Sequence, residues 1–418
     1  MSGVTMRAVR TTVGGDAERH GRRWAKRVGA AVLAVGLLAA CDSAAGAPTG
    51  EFSPAGNTAS KSPAVPTTLA LTAPANKATK VLTSSVLTFT TNGTLDTVTL
   101  TGSDGKPVAG NVSSDKKSWV PARQLAYSAT YKVVATASQG GENSKTLTST
   151  FTTMAQPSSI TGADLYVNDG DTVGIGLPIV VEFTNSIPKS QRAAVERRLF
   201  VTSTPAVEGS WHWFSGSEIH YRPRAYWPSG AKVSVRLAIG GLPMGDGSYG
   251  KRDRFATFTV GRAVTSKVVN KDKTMYVYKD GKLIRKFPIS LGKRSTPTSS
   301  GRMVAMEKAY KKTFDSGTFG VPSDSPDGYR QVVYFDVRFT WGGEFVHAAP
   351  WSVGSQGREN VSHGCVNAST ANASWFYELT LKGDPIEVIG TETRVEKGNG
   401  WTDWELSWEQ YKAGSALR

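Results

Sequence analysis

The sequence predicts a mainly β chain: two small β-sandwich domains in series, then a third β-rich domain with one main helix. Three observations predict it. Short alternating apolar–polar runs bounded by turn residues fill residues 68–153. The same pattern returns over 158–261. Beyond 263 the strand-like runs continue, and the one substantial helical pattern is Ala371 to Leu381, with Trp375, Phe376 and Leu379 on one face.

The elements follow in chain order. Met1 to Arg27 carries seven basic residues (Arg7, Arg10, Arg19, Arg22, Arg23, Lys26, Arg27) against Asp16 and Glu18. Val28 to Ala40 is then apolar for 13 residues. A membrane span needs ~20, so residues 1–40 read as a signal peptide. The run ends Leu38-Ala39-Ala40-Cys41. Small residues before a cysteine resemble a bacterial lipobox, implying cleavage before Cys41 and a lipid on its sulfur, hence a membrane anchor on the extracytoplasmic face. An ordinary signal with an incidental cysteine is the alternative, and Arg22-Arg23 leaves the export route open. The whole chain carries +15 at pH 7, and without the leader about +10. A basic exported protein suits an anionic wall or lipid surface, and export argues against nucleic acid as a partner. Residues 41–67, rich in Ser, Ala, Gly, Pro and Thr, read as a lipidated, disordered tether.

Residues 68–155 form the first predicted sandwich. Its strands include Val86 to Thr90, Thr97 to Leu100, Tyr131 to Ala135 and Leu147 to Phe151, with turns at Ser103 to Lys106 and Gln139 to Glu142. Ser113 to Lys116 spells Ser-x-x-Lys in a turn-like stretch with no Lys-Thr-Gly partner, and carries no chemistry. Residues 156–262 form the second, with strands at Ile179 to Phe183, Trp211 to Phe214, Glu218 to Tyr221, Val233 to Leu237 and Phe255 to Thr259, and a short helix at Ser190 to Leu199. His212 and His220 lie on aromatic strands without metal-ligand spacing, so packing is the expected role.

Residues 263–390 hold the chemistry. Met275 to Tyr278 and Leu283 to Phe287 flank Asp280-Gly281, a hairpin signature. Val332 to Phe339, Glu344 to Val346 and Ile386 to Ile389 supply further strands. Lys308 to Arg330, broken by Gly317, Gly320, Pro322, Pro326 and Gly328, reads as a long functional loop. Cys365 is one of two cysteines, in Ser362-His363-Gly364-Cys365-Val366-Asn367, and His347 lies eighteen positions upstream at the expected end of a strand. With 5 His, 44 Gly and 2 Cys in 418 residues, His-Gly-Cys arises by chance about 0.0025 times. A Cys and a His that meet in space make an activated nucleophile. Asn367 and Ser369 are good N-caps, which would set Cys365 just ahead of a helix N-terminus where a thiolate is favoured. Gly364 would let successive N–H groups point at an oxyanion. The alternative for a lone Cys is a small buried core residue, against which the flanking polar and turn residues argue. His363 and Cys365 have no further ligands to complete a metal site. With Cys41 lipidated and Cys365 reactive, no disulfide remains.

Phe345-Val346-His347-Ala348-Ala349-Pro350-Trp351-Ser352-Val353-Gly354 followed by Ser362 to Asn367 resembles the signature of the L,D-transpeptidases, the YkuD family. The resemblance covers roughly Ala263 to Gly390 and, less strictly, the two preceding domains, which resemble the paired immunoglobulin-like domains of the actinobacterial type. It implies a cofactor-free enzyme that cross-links peptidoglycan stem tetrapeptides 3→3 through a thioester on Cys365, and that carbapenems acylate. It implies His347 as base, the Ala348 carbonyl as its orienting group, and the N–H groups of His363, Gly364 and Cys365 as oxyanion donors. Ser362 and Asn367 would brace the loop, and Trp351, Phe319 and Tyr329 would contact substrate, the last two from a hairpin lid. Phe314 and Phe319 stand where Met and Tyr are expected in relatives. A sortase-like protein transpeptidase and a catalytically inactive wall-binding lipoprotein are the alternatives. The first lacks its Thr-Leu-x-Thr-Cys strand and downstream arginine here, and the second leaves His347 and Cys365 without purpose. Residues 391–418 carry Trp401, Trp404, Trp408 and Tyr411. They are expected to pack back onto the catalytic and second β domains, with carbohydrate stacking as the alternative.

Overall fold

Strand alternation decides the first domain. In Thr130–Gln139, Tyr131, Val133, Ala135 and Ala137 point inward and the residues between them outward. The strand pairs with Glu142–Thr153 and Thr94–Gly102, and Ala78–Val81 completes that sheet. Leu69–Ala73, Leu87–Thr91, Ser118–Pro121 and Gly110–Val112 make the facing sheet. Leu87, Phe89, Leu100, Trp119, Val133 and Phe151 fill the space between. The computed structural model describes residues 65–417 other than 141, 320, 321, 323, 326, 327 and 329. The expected leader, Cys41 with its expected lipid, most of the expected tether and Tyr329 lie outside the described residues.

The second domain repeats the plan with two four-stranded sheets and a small three-stranded one. Its helix spans Lys189–Glu196 rather than reaching Leu199, because Leu199 opens the strand Leu199–Thr204 and buries its side chain there.

In the third domain we number the strands from its start. β1 is Val264–Val269, β2 Thr274–Lys279, β3 Lys282–Pro288, β4 Ser299–Val304, β5 Glu307–Asp315, β6 Arg330–Arg338, β7 Phe345–Ala348, β8 Val366–Ala368, β9 Pro385–Ile389 and β10 Thr393–Arg394. Helix α1 is Thr370–Leu379. One sheet runs β3-β2-β1-β9-β4-β10, the other β5-β6-β7-β8. The β2–β3 turn uses Asp280 and Gly281, both at positive φ, as a two-residue hairpin demands. Val268, Met275, Phe287, Met303, Val337, Val346, Val366 and Phe376 form the core between the sheets and α1. The expected long loop after Lys308 is mostly hairpin, since β5 and β6 pair from Glu307↔Arg338 to Asp315↔Arg330.

Backbone contact joins this domain to the one before it. Gly174 N–H donates to Lys382 O at 2.7 Å and Gly176 N–H to Gly383 O at 2.9 Å. A Cβ on Gly174 would lie 2.2 Å from the Asp384 nitrogen, so only glycine lets the chains approach.

The C-terminal tail seals the same junction. Trp401 and Trp404 are 2% and 7% exposed and extend the second domain's core. Trp404 Nε1–H donates to Gly176 O at 2.7 Å, and Arg222 lies over its ring at 4.5 Å. Here His220 does more than pack. Fully buried, it donates from Nδ1 to Asp403 at 3.0 Å and from Nε2 to Glu218 at 2.7 Å. Tyr411 O–H also donates to Asp403, at 2.8 Å. Burial opposes the imidazolium, but Asp403 and Glu218 outweigh it and push His220 up to about 9. A group raised in the folded state stabilises the fold below its ordinary pKa and loses that contribution as pH climbs through its folded one. The Tm should therefore fall between about pH 6.5 and 9, and His220→Gln, less stable throughout, should show a flatter decline. Equal slopes in calorimetric melts of the two proteins would contradict this.

Candidate active site

Two short strands bring the signature residues together. β7 pairs in parallel with β8 at Val346↔Val366, His347↔Asn367 and Ala348↔Ala368. Side chains alternate across a strand, so His347, Asn367 and Cys365, two residues before Asn367, share one face. His347 is thus the third residue of its four-residue strand, not an end residue as the sequence suggests. The Cys365 loop is fixed by the segment that follows β3: Asn367 N–H donates to Ser290 O at 2.8 Å, Ser290 N–H to Asn367 O at 3.0 Å, and Ser362 N–H to Leu291 O at 3.0 Å.

His347 and Cys365 line one cavity of about 410 Å³, with Phe314, Gln331, Val333, Trp351, Ser352, Ser355, Val361, Ser362, His363 and Asn367. His347 is 3% exposed, and its Nδ1 lies 3.0 Å from the Ala348 carbonyl oxygen. That contact makes Nδ1–H the donor and leaves Nε2 as the basic nitrogen of the neutral ring. Trp351 is 52% exposed and stands 6.0 Å from the imidazole. Phe314 closes the other side, 5.4 Å from His347 and 4.8 Å from Phe345. The backbone of Phe319 belongs to a 3₁₀ turn, Ser316–Phe319.

Three expectations change. Cys365 does not precede a helix. The three residues of β8 intervene, and α1 is capped by Ser369, whose Oγ accepts from Asn372 N–H at 3.3 Å. At ~3.3 Å per strand residue the dipole end is too far to act on the sulfur. Asn367 accordingly braces rather than caps: its Nδ2 donates to Ser352 Oγ at 3.1 Å. Third, the Gly364 N–H is already taken, donating to Ser362 Oγ at 3.1 Å, while Ser362 O–H donates to the Cys365 carbonyl at 2.6 Å. Gly364 still earns its place through a φ of +125°.

The resting electrostatics follow from burial. Desolvation, aided by the charges of Glu344 and Asp336 and opposed by a backbone hydrogen bond at Phe345, pushes the Cys365 thiol up to about 12. Desolvation likewise pulls His347 down to about 4 against its bonds to Ala348 and Asn367. The pair therefore rests as thiol and neutral imidazole, with the S–H directed to Gly343 O at 3.6 Å. Glu344, itself pushed up by burial, accepts from Ser299 N–H at 2.7 Å through Oε1. Residue spacing gave no hint of Ser352, Gln356, Glu344 or Asp336; only sheet pairing and the 350–356 turn bring them in.

The third domain thus sets a loop cysteine beside a strand histidine in one cavity, behind two β-sandwiches, the parts of a thiol nucleophile with its base. The L,D-transpeptidase catalytic domain model, YkuD, matches residues 266–388, and a bacterial Ig domain model matches 78–243, across both sandwiches. L,D-transpeptidase 2 of Mycobacterium tuberculosis is 37% identical over 78% of this chain and 79% of its own length. L,D-transpeptidase 1 of the same species is 40% identical over 53% and 82%. A solved LD transpeptidase in complex with imipenem is 36% identical, covering 55% of this chain and 100% of its own, at a TM-score of 0.48. The chain belongs to the YkuD L,D-transpeptidases and is a transpeptidase enzyme.

A neutral resting thiol has a kinetic signature. Iodoacetamide alkylation of Cys365 without substrate should be slow at pH 7 and keep rising through pH 9. A plateau in the pH–rate plot below pH 8 would show a stored thiolate instead.

Proposed function

We propose that this enzyme joins peptidoglycan stem peptides by 3→3 cross-links through a thioester on Cys365. The observation that carries the reading is the convergence of Cys365 and an Ala348-oriented His347 on one cavity. The Cys365 sulfur attacks the carbonyl carbon of the third residue of a tetrapeptide stem. The S–C bond forms as the thiol proton passes to His347 Nε2, so no free thiolate is stored. The C–N bond to the terminal D-Ala breaks, and the leaving nitrogen takes that proton. An acceptor amine then attacks the thioester, forming C–N and breaking C–S, and its proton returns through His347 to the sulfur. Backbone N–H groups of the 363–365 loop would hold the oxyanion, with that of Gly364 joining only by releasing Ser362. Trp351 and Phe314 form apolar walls for the stem.

The same attack opens the strained amide of a carbapenem, leaving an acyl-enzyme on Cys365. Lipid attachment at Cys41 would hold the enzyme on the outer face of the membrane, and Cys41→Ala should then release it from the membrane fraction. Unchanged retention would remove the anchor.

The decisive test is intact-protein mass spectrometry with disaccharide-tetrapeptide and with a carbapenem. Wild type should form the cross-linked dimer and a single adduct on Cys365. Cys365→Ala should keep its fold and lose both by at least ~10³-fold. Dimer formation by the variant, or an adduct mapped elsewhere, would overturn the assignment.

A further inference from the structure

Asp336 is a buried carboxyl without an evident structural reason. It lies in β6, 1% exposed, and neither of its oxygens has a hydrogen-bond partner among the described residues. Such a group costs stability unless something needs it. Its position is fixed by the sheet. β6 pairs antiparallel with β7 at Val337↔Val346 and Arg338↔Phe345. Extended by one step, that register would set Asp336 opposite His347, and directly opposed residues of an antiparallel pair put their side chains on one face ~5 Å apart. Cys365 feels its charge. Phe335, at φ +60°, breaks the alternation of the strand. Its ring packs on Tyr310 and on Tyr377 of α1, and Asp336, the residue that follows, is buried.

We propose that Asp336 is a positioning residue for acyl transfer: its buried charge favours the imidazolium of His347 and disfavours a thiolate on Cys365, so the proton moves only as the sulfur attacks. The reasoning is differential. A charge beside the dyad penalises S⁻ and rewards His347-H⁺. When the sulfur bonds to the substrate carbonyl, the negative charge passes to the oxyanion, farther from Asp336, while the imidazolium stays beside it. The transition state therefore gains more from Asp336 than a free ion pair does. This rests on the acyl-transfer reading of Cys365.

Asp336 interacts with the charge of Lys312 from β5 and acts on Cys365, and Glu344 and His347 belong to the neighbouring β7 and its approach. Glu307 and Arg338 lie beyond them, 3.0 Å apart, with Lys312 held 3.2 Å from Glu307. Burial pushes Asp336 up to about 7, against the pull of Lys312. Activity that needs the carboxylate should thus rise as pH climbs through that region.

Asp336→Asn separates this role from a merely structural one because two readouts should move in opposite directions. At pH 8.5, iodoacetamide alkylation of Cys365 should rise about three- to tenfold as the opposing charge disappears. Acylation kcat/KM with tetrapeptide should fall by about tenfold, and its acid limb near pH 7 should vanish. Both rates falling together, or neither changing, overturns the proposal. Wild type that fails to acylate at all would instead overturn the parent reading. Lys312→Met gives an independent check should Asp336→Asn not fold: losing the cation should move the acid limb to higher pH, and an unmoved limb overturns the proposal.

Discussion

The site depends on three residue pairs between β7 and β8. They are parallel neighbours although eighteen positions separate His347 from Cys365. Parallel pairing needs a crossover, supplied here by the 349–365 segment with its turn at Pro350–Ser352. Register matters more than proximity. A slip of one residue would send His347 to the core face and bring Val346 to the cavity. Val346 and Val366, both fully buried, make that slip costly, so core packing holds the chemistry in register. The bridges from Ser290 and Leu291 add a second fixed edge, and the 362–365 loop has little freedom left.

The same burial that fixes the dyad removes the charge separation usually associated with a reactive cysteine. A helix N-terminus would have lowered the thiol pKa; a strand start does not. Two nearby carboxyl groups push further in the same direction. The price is a resting enzyme of low nucleophilicity. On the proposed mechanism the compensating gain would be selectivity: only an electrophile that can receive the sulfur's charge as it forms would draw the proton across to His347.

Much of the fold was legible because it is written locally. Alternation in Tyr131 to Ala135, the Asp280-Gly281 turn and the Trp375–Leu379 face each need only a few residues to read. The Trp-rich tail was legible for a different reason: so many rings at 401–411 cannot stay in water. What could not be read depends on pairing or on a single dihedral. Three residues of strand at Val366–Ala368 are too few to show a period, which left the helix cap adjacent to Cys365 in the sequence reading. Asp336 sits in a strand that alternates normally up to Tyr334, and the φ of Phe335 alone turns it inward. His220 and Asp403 are 183 positions apart, and no spacing rule links them.

That last pair bears on how the domains act together. The third domain meets the second through backbone at Gly174 and Gly176, and the tail returns from the third domain to place Asp403 against His220. A buried ion pair adds little net stability over an apolar contact, but it is strongly directional, and losing one partner leaves the other stranded. Arg222, stacked over Trp404 and Tyr411 and donating to Leu406 O at 3.0 Å, adds a second directional contact at the same place. Apolar burial of Trp401 and Trp404 would tolerate sliding between the two surfaces; a charged triad and a stacked guanidinium do not. The second sandwich is thereby held to the third domain as one body. The cavity around Cys365 keeps a set direction relative to the β domain before it.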